Sequence, residues 1–136
     1  MTLKNDVVLW DDGKDRLCLC KIAEEQQYKY KDGAPCVTFG VLYEGANYKG
    51  YDIFTLFDSF YCDSISTIEK TYCTLNGAFR ICDNGADTDG YVDFVMKDGR
   101  VSMKGQLGAS FAPCFLHFEL EADQTVIGAL LEAFTV

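Results

Sequence analysis

His117 is the single histidine of the chain, and seven cysteines accompany it. A histidine and a thiol could act together as base and nucleophile, provided the two lie within hydrogen-bonding reach and a third group orients the ring. Nothing in the spacing sets any cysteine beside His117 with such a group, so no catalytic residue is assigned. Cys18 and Cys20 form a C-x-C pair in an apolar run, which a strand would point to one face. Further paired ligands at suitable spacing are missing, so the pair reads as small buried hydrophobes rather than a thiolate metal site.

Asp83-Asn84-Gly85-Ala86-Asp87-Thr88-Asp89-Gly90 is rich in oxygen ligands. An EF-hand needs Gly at its sixth position and Glu at its twelfth. Counted from Asp83, those positions hold Thr88 and Phe94. The stretch therefore reads as a solvated acidic turn, and neither a metal nor a cofactor is expected. Phosphate-cradling loops, dinucleotide fingerprints, nucleophile elbows and H-E-x-x-H are all absent from the sequence.

Charge narrows the classes further. Twelve basic and twenty-one acidic residues give a net −9, and residues 80–136 alone hold four basic and nine acidic side chains. Such a field repels phosphates and anionic lipid and attracts basic partners. Ten Phe and eight Tyr are present, but basic residues do not cluster among them as a nucleic-acid-binding sheet requires. No apolar run reaches the roughly 18 residues of a membrane helix. The start, Met-Thr-Leu-Lys-Asn-Asp, lacks the basic flank and apolar core of a signal peptide. An odd cysteine count without framework spacing fits a reducing compartment, so a cytoplasmic location is expected.

The elements that would position these residues follow from periodicity. Residues 7–10, a turn over 11–15 and residues 16–22 read as strand, turn, strand. Glu24-Glu25-Gln26-Gln27 reads as a loop or short helix, and Asp32-Gly33-Ala34-Pro35 as a break. Alternation from Val37 to Tyr43, a turn at 44–47 and aromatic-rich residues 48–55 give two more strands. Between residues 58 and 75 the period becomes helical, with Phe57, Phe60, Tyr61, Ser64, Ile65, Ile68 and Tyr72 on one face. Asp58 or Asp63 is the expected cap, and Gly77 the expected left-handed residue after the helix.

Residues 90–97 and 100–107 flank Asp98-Gly99, the strongest short hairpin cue. With those two as the loop, Met96 faces Val101, Phe94 faces Met103 and Val92 faces Gly105 on one side. Asp93 faces Lys104 and Val95 faces Ser102 on the other. Leu116, Phe118 and Leu120 then alternate with His117, Glu119 and Glu121. Val126, Ile127, Leu130, Leu131 and Phe134 follow at helical spacing, behind Asp123 as expected N-cap. This order predicts one domain over 1–136, of α+β class, with an antiparallel sheet carrying one or two helices on one face and a closing strand–helix unit.

That closing unit carries a resemblance. Phe118-Glu119-Leu120-Glu121-Ala122-Asp123-Gln124-Thr125 resembles the strand, Asp-Gln-Thr/Ser, helix ending of the WapI family of bacterial immunity proteins. The preceding order is similar too: a helix ending in Asn76-Gly77-Ala78, a strand, the 90–107 hairpin and a short loop. The resemblance covers about residues 58–134. It implies an immunity protein of a polymorphic, contact-dependent toxin system, which binds a basic toxin domain and neutralises it. For a nuclease toxin the basic cleft would be occluded. It implies no enzyme activity and no direct contact with nucleic acid or membrane. The residues placed at such an interface are Asp83, Asp87, Asp89, Tyr91, Asp93, Glu119 and Glu121, chosen as acidic or aromatic groups of the second half. A small-molecule-binding domain with an aromatic-lined pocket is the alternative.

Overall fold

The computed structural model describes residues 3, 5–23, 36–85 and 87–135. The readings of Glu24–Gln27 and of residues 32–35 lie outside these. Among the described residues eight strands and two helices follow in the order β1 (Val7–Asp11), β2 (Arg16–Cys20), β3 (Cys36–Glu44), β4 (Lys49–Phe57), α1 (Asp58–Thr74), β5 (Gly77–Cys82), β6 (Tyr91–Lys97), β7 (Arg100–Leu107), β8 (Leu116–Asp123) and α2 (Thr125–Phe134). The α+β class holds. The strands divide, however, into two four-stranded antiparallel sheets, β1-β2-β3-β4 and β5-β6-β7-β8. The 17-residue helix α1 stands between them in the chain.

Both sheets turn alternate residues inward, and their apolar faces merge in one core. Leu17, Phe39 and Phe54 come from the first sheet, Phe94, Met103 and Phe118 from the second, and Ile68, Ile127 and Leu130 from the helices. Phe134 at the end of α2 lies 5.4 Å from the ring of Phe39 and 5.7 Å from that of Tyr61. The Tyr61 hydroxyl donates to the Phe134 carbonyl, which ties the two helices at the helix end. Helix α2 packs on β1, α1 and β8, so the closing helix touches both sheets.

The β6–β7 hairpin has the expected register in full, from Lys97 opposite Arg100 to Val92 opposite Gly105. Asp98 and Gly99 have φ of 51° and 80°, as a two-residue loop matched to strand twist requires. Val92, Phe94, Met96, Val101 and Met103 are all buried in the common core.

Four local expectations are corrected. The N-cap position of α1 is Phe57, without a side-chain cap bond, and Asp63 lies inside the helix because the chain enters it directly from β4. The left-handed residue after α1 is Leu75 (φ 59°), whose carbonyl accepts from the Gly99 amide of the hairpin turn. Gly77 is needed for close approach instead, since a Cβ there would stand 2.5 Å from Thr71 Oγ1. On α1 it is Thr71 that is buried, whereas Tyr72 is 41% exposed. Finally, Gln124 occupies the N-cap position of α2. Asp123, one residue earlier, still accepts from the Thr125 amide (2.9 Å) and hydroxyl (2.5 Å).

Candidate partner-binding face

The outward residues of the β5–β8 sheet form rows that cross all four strands. One row reads Arg80, Asp93, Lys104, Glu119, and the next reads Cys82, Tyr91, Gln106, His117. A third reads Ala78, Val95, Ser102, Glu121. Val95, in a central strand, is 50% exposed, whereas Gln106 is buried, so among the described residues the face is open around Val95 and closed over at Gln106.

The structure gathers the sequence-predicted residues unevenly. Tyr91, Asp93, Glu119 and Glu121 share the face. Asp93 is committed to Arg80, which donates through Nε (2.6 Å) and Nη2 (2.8 Å) in a bidentate pair. The same guanidinium lies 4.1 Å over the Tyr91 ring. Glu119 stands 3.7 Å from Lys104 Nζ, both side chains well exposed, a pair worth little in water. Glu121 accepts from the Ser102 hydroxyl at 3.1 Å on each oxygen. The charge row therefore alternates in sign, and the sheet face is balanced rather than acidic.

The acid of the β5–β6 loop divides between scaffold and surface. Asp83 accepts from the Thr55 amide of β4 (2.7 Å) and the Asp87 amide (3.2 Å). Asn84 adds a backbone bond to the Thr55 carbonyl (2.8 Å). The loop is thus fastened to the first sheet through Asp83 and Asn84, while Asp87 remains exposed. Among the described residues no group of three or more His, Cys, Asp or Glu side chains is placed to hold a metal ion.

Asp89 reaches across to the β7–β8 loop. It accepts from the Ser110 amide (2.7 Å), the Ser110 hydroxyl and Gln106 Nε2 (2.9 Å). These donors, the Ser110 hydroxyl foremost, hold its carboxyl below the usual 3.8. Asp52, on the inner face of β4, accepts from the Thr88 hydroxyl (2.8 Å) and the Gly108 amide (2.9 Å), joining both loops to the first sheet. Neither Asp52 nor Gln106 was singled out by sequence pattern. Their partners lie 36 and 56 residues away for Asp52 and 17 away for the Gln106–Asp89 bond, and no local period reports such contacts.

His117 sits at the end of this network. Gln106 Nε2 donates to Asp89 and to the Gly108 carbonyl (3.3 Å). Its Oε1 is therefore left to accept from His117 Nε2 at 3.0 Å, which assigns the ring proton to Nε2. The ring also meets Phe115 edge-to-face at 5.2 Å. The Gln106 amide thus takes one of the two ring nitrogens through which a base would meet a nucleophile or an orienting group. Of the cysteines, Cys18 is buried as expected, but Cys62, Cys73 and Cys114 are exposed. Burial pushes the Cys18 and Cys20 thiols up from their usual 9.0.

Inside, the space bounded by Leu9, Leu17, Leu19, Val41, Ile81, Val92, Phe94 and Leu130 is about 10 Å³. That is room for about one water. No helix among the described residues is long and apolar enough to cross a membrane. No family model, curated protein or solved structure matches this chain.

Proposed function

We propose that this chain is an immunity protein that binds and neutralises a basic toxin domain, a nuclease, by occluding its active-site cleft. The observation that carries the reading is the outer face of the β5–β8 sheet, open around Val95. It offers a rigid surface on hydrogen-bonded strands, with Glu119 and Glu121 exposed upon it and Asp87 at its margin. An inhibitor needs such pre-organised complementarity and no chemistry of its own. The overall −9 charge favours fast, steered encounter with a cationic cleft. The resemblance of residues 58–134 to the WapI family supports the same reading.

The test is direct. The purified toxin domain encoded beside this gene is assayed for nucleic-acid cleavage with increasing amounts of this protein. Loss of cleavage at one equivalent, with a stable complex on gel filtration, is the expected result. Full cleavage at tenfold excess, with no complex formed, overturns the proposal.

A further inference from the structure

The 108–115 loop displays Phe111 at 76% exposure and Phe115 at 45%. Exposed phenylalanines on a slack loop would mean little. This loop is not slack, because its backbone is bonded from three sides. Asp52 takes the Gly108 amide, Asp89 takes the Ser110 amide, and the Ala112 amide closes a turn on the Ala109 carbonyl (2.9 Å). Gly108, at φ +91°, lets the loop fold on itself, with Cys114 O and Phe115 Cβ each 3.2 Å from where a Cβ would be. Ala109 is buried beneath, while Ser110 and Phe111 stand out.

Chain entropy at this site is thus already reduced by carboxylate bonds, part-buried at Asp52 and exposed at Asp89, and an aromatic side chain stands in water at the margin of the sheet face. Such an arrangement does not serve the core. It is how a binding anchor is built, a pre-organised aromatic knob that fills a partner's pocket. Phe115 and His117 continue the patch toward Gln106 and Tyr91. Asp89 borders it through Ser110, and Glu119 follows His117 on the same face of β8.

The geometry points to Phe111 as the central anchor of the toxin interface, seated in an apolar pocket of a protein domain whose rim carries Lys and Arg. This inference rests on the immunity reading and moves the centre of the interface from the acidic loop to the 108–115 loop. The carboxylates then form the rim, where they govern encounter, and the aromatic governs how long the complex lasts.

The probe is the same purified toxin domain, with its catalytic residue removed, passed over immobilised wild type, Phe111→Ala and Phe111→Ala/Phe115→Ala. Exposed side chains leave the fold unchanged, which circular dichroism and thermal unfolding verify. The expected result is a fall in affinity of about thirtyfold or more for Phe111→Ala, mostly in the dissociation rate. Wild-type binding with Phe111→Ala within twofold of it overturns the anchor and leaves the immunity reading standing. Failure of the wild type to bind overturns both.

Discussion

Leu130→Ala measures whether α2 locks the two sheets together. Leu130 is 1% exposed, and the seven residues around it belong to β1, β2, β3, β5 and β6. Removing three carbons from such a site forfeits transfer free energy and leaves a cavity whose cost depends on how far the walls relax. Here the walls are strands held on ladders in two separate sheets, and moving one means breaking its hydrogen bonds. The cavity should therefore stay open, placing the loss in the upper part of the usual range, about 3–5 kcal/mol. Against a total stability of roughly 5–15 kcal/mol, that is a large fraction. In urea, with a slope of about 2 kcal/mol per molar, the midpoint should fall by about 2 M at unchanged slope. Leu131→Ala, at a half-buried position one residue on, should cost roughly 1 kcal/mol. A Leu130 loss no larger than the Leu131 loss would refute the view that this side chain fills space between the sheets.

Three further outcomes are expected. Combining Asp87→Asn, Glu119→Gln and Glu121→Gln should slow association with the toxin domain severalfold and flatten its salt dependence, because exposed charges act on encounter; unchanged rates at two salt concentrations would remove these carboxylates from the interface. Tyr43, half-buried and donating to Asp15 Oδ1 at 2.6 Å, has its phenol pushed up to about 12 by desolvation first and then by that bond. A raised phenol stabilises the fold fully below its unfolded value near 10, and that contribution is lost as pH rises toward 12; ultraviolet titration should show a late tyrosinate step that vanishes in Tyr43→Phe. The depressed carboxyls of Asp89 and Asp123, held down chiefly by the Ser110 and Thr125 hydroxyls, stabilise the fold above about 3.8 and cease to do so as pH falls through their lowered values; Asp89→Asn should flatten the acid limb of stability against pH, and a parallel curve would refute that linkage.

What the sequence disclosed was what short range determines. The β6–β7 hairpin was legible to the residue because Asp98-Gly99 selects a loop length, and loop length sets every later pair. The stripe Val126, Ile127, Leu130, Phe134 was legible because burial on a helix repeats with the helical period. Where two signals competed, the longer-range one decided. Leu75, rather than Gly77, took the left-handed position because the hairpin turn donates to its carbonyl. Thr71 displaced Tyr72 from the core, with its hydroxyl packed at Gly77. The division into two sheets had no local sign, since alternation is the same in either sheet.

The candidate interface shows the same boundary from the side of function. Counting carboxylates in residues 80–136 suggested an acidic face, and the strands that would carry it were correctly found. Charge on a sheet, however, is decided by which strands are neighbours. Asp93 opposite Lys104 was visible in the hairpin, but Arg80 opposite Asp93 and Glu119 opposite Lys104 required the registers of β5 and β8. Those pairings neutralise the row, and the hydrogen bonds of Asp83 and Asp89 assign both carboxylates to holding loops. Glu121 is likewise engaged by Ser102, which leaves the exposed Asp87 and the exposed rings of the 108–115 loop. Placing recognition on that loop follows from subtraction: once the polar groups with an internal partner are set aside, Phe111 is a largely exposed aromatic on a loop whose backbone is hydrogen-bonded on either side of it.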